Sequence, residues 1–116
     1  MTIGIAVNTL FFFGMGVLAL LRPAVLGRLV ELSPETVLAR NEVRAVYGGF
    51  GVVMALALLW SIGDAVLGPG VQLAVALALL GMAGGRVVSS VADGATARAA
   101  VFFVGEVLLA LALIYL

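Results

Sequence analysis

Four long apolar runs, separated by short polar segments, constrain this chain more than any other feature of its sequence. They cover about residues 2–21, 41–60, 71–91 and 97–116. A hydrocarbon core of roughly 30 Å is crossed by about 20 apolar helical residues, and backbone polar groups in lipid must be satisfied within the helix. The runs predict an all-α polytopic membrane protein, a single domain over residues 1–116 that forms a four-helix transmembrane bundle with up-down topology.

The composition indicates the same class. The 116 residues are 65% hydrophobic and 10% charged, with a mean hydropathy of +1.32, whereas a typical soluble domain is about 25% charged. The net charge is zero, and no basic patch supports nucleic-acid binding. Since the chain has no His and no Cys, it has no disulfide, no thiol chemistry and no Cys/His metal site. We therefore expect neither a metal nor a cofactor.

Enzyme chemistry is poorly supported by the motifs. The chain has no Gly-x-Ser-x-Gly elbow and no phosphate-binding loop. The glycine-rich stretch Gly48-Gly49-Phe50-Gly51 lies inside an apolar run without a preceding strand, which is not the setting of a nucleotide site. The sequence thus favours a protein that is not an enzyme.

The connection over residues 22–40 has helical character of its own. Pro23 suits a first helical turn, and four apolar residues follow at helical spacing: Val25, Leu26, Leu29 and Val30. This pattern predicts a short amphipathic helix at the membrane interface, between helices 1 and 2. Ser33 is the predicted N-cap of the next helix, which either continues into the second span or bends near Asn41.

The arginines predict the orientation. All six lie on one side of the membrane or in the adjoining half of a span: Arg22, Arg28, Arg40, Arg44, Arg86 and Arg98. The positive-inside rule makes that side cytoplasmic and places both termini outside. Trp60 and Tyr115 then fall at the outer interface, where amphipathic rings prefer to lie. The first run lacks a basic n-region, so we expect a retained helix and not a signal peptide.

Polar residues interrupt the runs near the predicted cytoplasmic side. At 1.5 Å per residue, Arg44 lies about 6 Å inside the interface, Tyr47 about 10 Å, Arg86 about 7 Å and Glu106 about 13 Å. Either arginine could meet Glu106 at these depths. We predict one pocket formed by Arg44, Tyr47, Arg86 and Glu106. Four residues support it: Asn41, Glu42, Ser89 and Asp93.

A pocket with Arg44, Arg86 and one deep acid, Glu106, has an excess of positive charge. This excess favours an amphipathic anionic ligand such as a lipid or a quinone. A structural salt-bridge network that fixes helix register is the plainer interpretation. A small proton-coupled transporter that uses Glu106, or a structural subunit of a larger complex, are the alternatives. Glycine stripes at Gly48–Gly51 and Gly81–Gly85 allow close helix packing, within the bundle or in a homo-oligomer.

Four parts of the sequence carry a resemblance to known proteins: Asn41-Glu42-Val43-Arg44-Ala45-Val46-Tyr47-Gly48-Gly49, Gly85-Arg86, Asp93-Gly94 and Glu106. They resemble a bacterial family of small four-helix membrane proteins of unknown function, broadly DoxX-like. The resemblance covers nearly the whole chain. It implies a bacterial inner-membrane location and lends no activity. DoxX-like proteins are linked to quinone-associated redox systems, but this chain has no cysteine or cofactor ligand to carry electrons. The positions that it emphasises are Glu42, Arg44, Tyr47, Arg86, Asp93 and Glu106.

Overall fold

The computed structural model describes residues 2–116, and all of its regular elements are helices. There is no strand within these residues. The elements are α1 (Thr2–Leu21), α2 (Pro23–Leu29), α3 (Val37–Val43), a π-helical segment (Arg44–Gly49), α4 (Phe50–Ser61), α5 (Gly68–Asp93) and α6 (Ala97–Tyr115).

Four helices are long and apolar enough to cross a membrane. They are α1, the continuous helix Val37–Ser61 formed by α3, the π-helical segment and α4, then α5 and α6. This confirms the predicted class, an all-helical multi-pass membrane protein with the helix content of a four-helix bundle. The short helix α2 lies where the amphipathic segment was predicted, with Pro23 in its first turn.

The second spanning helix begins earlier than the apolar run alone indicated. It starts at Val37, and the hydroxyl of Thr36 accepts a hydrogen bond from the Ala39 amide at 3.0 Å. The prediction of Ser33 as the N-cap was therefore wrong. Residues 33–35 form a turn outside the helix, in which the Glu35 amide donates to the Ser33 carbonyl at 2.8 Å. Thr36 has the extended backbone that an N-cap requires.

The chain divides into two compact units. Residues 8–60 form the first, here the N-terminal unit, and residues 2–7 with 61–116 form the second, here the C-terminal unit.

In the N-terminal unit, glycines allow the backbone of α1 to approach the second spanning helix closely. A Cβ atom added to Gly16 would lie 2.6 Å from the Val52 nitrogen and 2.8 Å from the Gly48 oxygen. One added to Gly51 would lie 2.7 Å from the Phe12 oxygen. The stripe predicted at Gly48 and Gly51 thus packs two helices within this unit, as small residues do in membrane proteins.

The C-terminal unit is built on a hairpin of α5 and α6. Gly94, with φ of 96°, ends α5, and the hydroxyl of Thr96 caps α6 by accepting from the Ala99 amide at 3.1 Å. Only glycine adopts such a φ without strain. The buried side chains of the two helices include Leu79, Ala83, Ala110 and Leu113. This tight turn after Asp93 brings the polar residues of α5 and α6 to the same end of the hairpin.

The second glycine stripe, on α5, differs from the first. A Cβ atom added to Gly81, Gly84 or Gly85 would meet no atom within 4 Å among residues 2–116. Close packing of another helix on this stripe, in a homo-oligomer or a larger complex, stays a prediction.

Candidate functional site

A bidentate ion pair in the C-terminal unit joins Arg86 of α5 to Glu106 of α6. Arg86 Nε donates to Glu106 Oε1 at 2.6 Å, and Nη2 donates to Oε2 at 2.8 Å. Two parallel charge-assisted bonds of this kind fix the relative rotation of both helices. The depths predicted from the sequence allowed Arg44 or Arg86 to contact Glu106. The structure shows the contact of Arg86 with Glu106.

The hairpin explains how these side chains meet. Arg86 lies seven residues before the end of α5, and Glu106 lies nine residues after the start of α6, so their Cα atoms differ in depth by only about 3 Å at 1.5 Å per residue. Phe102, one turn before Glu106, completes the arrangement. Its ring centroid lies 5.0 Å from the guanidinium carbon of Arg86, a cation–π distance.

The two partners differ in exposure. The side chain of Glu106 is 6% exposed, whereas that of Arg86 is 32% exposed. A buried carboxylate is tolerated only when a partner compensates its charge, and Arg86 supplies both the charge and two hydrogen bonds. Arg86 thus joins a buried acid to the accessible surface of the hairpin.

A groove of about 280 Å³ lies beside this ion pair, between α5 and α6. Arg86 is the one charged residue among those that line it. Apolar side chains form most of the walls, together with the hydroxyl-bearing residues Ser90 and Thr96. Ser89 and Asp93, predicted as supporting residues, are exposed on α5 and do not line this groove. The rotation of α5 places the neighbouring Ser90 in the groove in place of Ser89.

The other predicted site residues belong to the N-terminal unit. Arg44 Nε donates to the carbonyl oxygen of Leu20, at the end of α1, at 3.1 Å. Tyr47 packs against a buried cluster of Ala19, Leu26 and Val43. Asn41 and Glu42 are exposed. The meeting of Arg44 and Tyr47 with the Arg86–Glu106 pair stays a prediction.

The contact of Arg44 with Leu20 gives a testable prediction. The carbonyl groups at a helix C-terminus lack intrahelical partners and carry partial negative charge, so a cation there is stabilising. We expect Arg44→Gln to lower the free energy of unfolding by about 1 kcal/mol, and Arg44→Lys, which keeps the charge, to lower it less. Unfolding in mixed micelles with increasing dodecyl sulfate measures both; equal losses would contradict the role of the charge.

Two features of the structure were not predicted. In the C-terminal unit, Gln72 Nε2 donates to the Ser61 hydroxyl at 3.1 Å, and both residues are buried. Gln72 Oε1 has no hydrogen-bond partner among residues 2–116. The sequence signal for this contact was a glutamine within an apolar run, because a polar side chain in lipid usually hydrogen-bonds a neighbouring helix.

The π-helical segment Arg44–Gly49 is the second feature, and such segments are frequent at functional sites.

Comparison with known proteins identifies a family but no individual relative. No curated protein and no solved structure matches this chain. A family model, described as a domain of unknown function, matches residues 1–116. The predicted resemblance to a family of unknown function is thereby confirmed, whereas the broader link to DoxX-like proteins stays a prediction. The match extends over the whole sequence, so this chain belongs to the family DUF4345.

Proposed function

We propose that this protein binds one amphipathic molecule, a lipid or a quinone, in the α5–α6 groove. The oxygen-bearing head, a phosphate, a carboxylate or a quinone carbonyl, lies beside Arg86, and the apolar tail follows the apolar walls. The observation that supports this proposal is the double role of Arg86, which holds Glu106 and also lines the groove. Apolar walls with a few convergent polar groups are the usual form of a ligand site. The role is that of a binding or accessory protein.

The charge of the site sets the kind of head group. Glu106 offsets the charge of Arg86, so recognition relies on directed N–H donors more than on net attraction. The guanidinium of Arg86 bonds the Glu106 carboxylate through Nε and Nη2, and a guanidinium bonds oxygen acceptors in a directed way. The accessible part of Arg86 faces a groove in which Ser90 and Thr96 carry the other polar groups. An oxygen acceptor at the head of the ligand matches these residues.

The groove lies at the end of the hairpin that carries Arg98 and the turn at Gly94. We assign this end to the cytoplasmic side of a bacterial inner membrane, because Arg86 and Arg98 both lie toward it and arginine-bearing connections are retained in the cytoplasm. The ligand then enters from the inner leaflet. Proton-coupled transport through Glu106, or a structural role in a larger complex, are the alternative functions.

A tryptophan that fills the groove tests the proposal without breaking the ion pair. Ala99 lines the groove, whereas Val101, two residues further along α6, is 68% exposed and does not line it. We expect Ala99→Trp to reduce retention of an added short-chain benzoquinone or of phosphatidylglycerol by at least about tenfold, which corresponds to 1.4 kcal/mol of binding free energy. Native mass spectrometry of the detergent-solubilised protein counts the bound molecules.

Val101→Trp is the matched control, since it adds the same side chain to the same helix outside the groove. It is expected to retain the ligand as the parent protein does. Equal retention by both variants would mean that the bound molecules are ordinary annular lipid, and the proposal would then fail.

A further inference from the structure

A second groove lies in the N-terminal unit and is independent of the one between α5 and α6. It has a volume of about 270 Å³. One wall is the connection at residues 32–34, and the other is the face of the second spanning helix that carries Ala39, Glu42, Val43, Val46 and Tyr47. Because Val43 is buried in the core of this unit and Tyr47 packs against that core, the floor of the groove is fixed.

The groove contains a carboxylate whose charge is not compensated. Glu42 makes no hydrogen bond or ion pair within residues 2–116. The arginines on either side of it in sequence bond backbone carbonyls instead: Arg40 Nη1 donates to Glu35, and Arg44 Nε donates to Leu20, both at 3.1 Å. Glu42 is therefore the one charged residue among those that line the groove, and its carboxylate favours a cation beside it over an anion.

Two hydroxyl groups accompany this carboxylate. Ser33 and Tyr47 line the groove, and neither hydroxyl makes a hydrogen bond within the described part of the chain. With Glu42 they provide three acceptor groups, one for each of the three donors of a primary ammonium. Leu32, Pro34 and Val46 supply apolar surface beside them. One carboxylate among apolar side chains is a poor set of ligands for a metal ion, which prefers several hard oxygen ligands.

The length of the helix places Glu42 near the lipid head groups. Val37–Ser61 has 25 residues, or about 37 Å, which exceeds a hydrocarbon core of roughly 30 Å. Trp60, 53% exposed, is one residue from the far end, where such rings anchor at the interface. The part of the helix that exceeds the thickness of the hydrocarbon core therefore lies at the Val37 end. Glu42, about 8 Å from Val37, lies where the hydrocarbon meets the head groups.

We propose that this groove binds the primary ammonium of an aminophospholipid, such as phosphatidylethanolamine. Glu42 accepts from the ammonium and compensates its charge, the hydroxyls of Ser33 and Tyr47 accept the remaining N–H bonds, and the apolar walls contact the start of the acyl chains. A soluble amine satisfies the carboxylate but leaves the apolar walls in water, which is why the lipid is the assigned occupant.

Lipids that differ only in their N–H donors test this assignment. The full chain is placed in nanodiscs that contain phosphatidylethanolamine, its N-methyl and N,N-dimethyl forms or phosphatidylcholine, and the tightly retained lipids are counted by native mass spectrometry. We expect phosphatidylethanolamine to be retained about tenfold over phosphatidylcholine, and the preference to fall stepwise with each methyl group. Equal retention of all four lipids would overturn the proposal.

Charge-neutral variants locate the effect. Glu42→Gln is expected to abolish the preference, and Tyr47→Phe to reduce it. Glu35→Gln removes the same charge from an exposed position that does not line the groove, and it is expected to leave the preference unchanged. Because Glu42 is exposed and makes no contact that stabilises the fold, its variant should keep full helicity in circular dichroism. An unchanged preference in folded Glu42→Gln, or displacement of the lipid by free ethanolamine at equal concentration, would refute the assignment.

Discussion

Replacing Arg86 with alanine is expected to lower the free energy of unfolding by about 3 kcal/mol. The substitution leaves Glu106, whose side chain is 6% exposed, without its two charge-assisted hydrogen bonds and without a compensating charge. An isolated buried carboxylate is among the least favourable groups in a protein interior. Reversible unfolding in mixed micelles with increasing dodecyl sulfate measures the loss.

Variants of Glu106 separate the ion pair from a general effect of substitution. Glu106→Ala removes the carboxylate that Arg86 contacts, but the Arg86 side chain is 32% exposed and can be hydrated, so we expect a smaller loss, about 1–2 kcal/mol. The double variant Arg86→Ala/Glu106→Gln should be more stable than Arg86→Ala alone, because it removes the stranded charge. A double variant that is less stable than Arg86→Ala would show that the buried charge is not the source of the loss.

The glycines of the N-terminal unit are expected to give the second large effect. Gly16→Ala should cost about 2–3 kcal/mol, the upper part of the range for overpacked cores. Its added Cβ would lie 2.6 Å and 2.8 Å from backbone atoms of Val52 and Gly48, which cannot move without separating the two helices. The same unfolding measurement applies.

Gly14→Ala is the matched control on the same helix. A Cβ atom at Gly14 would meet nothing within 4 Å among residues 2–116, and alanine is favoured over glycine in a helix interior by about 0.5–1 kcal/mol. We therefore expect Gly14→Ala to be neutral or slightly stabilising. Similar losses for the two alanine variants would indicate that close packing at Gly16 is not what makes the substitution costly.

Much of the fold followed from properties that act locally along the chain. The length and apolarity of each run determine that it must be a membrane-length helix, because lipid offers no other partner to backbone polar groups. The short polar segment between the third and fourth apolar runs indicated the hairpin, and the depths of Arg86 and Glu106 matched because depth depends only on residue number. Thr36 was missed as the N-cap because Ser33 offered the same chemistry three residues earlier.

The sequence by itself thus determined the number of spanning helices, their approximate ends and the shared level of Arg86 and Glu106. Only the tertiary structure decided which side chains meet. Each residue turns a helix by about 100°, so the direction of each side chain depends on how the helices pack. This packing joins Arg86 to Glu106 and directs Arg44 to the Leu20 carbonyl. It also places Glu42 in a groove. That packing is set by contacts between residues far apart in sequence, such as Gly16 with Val52, which no local pattern contains.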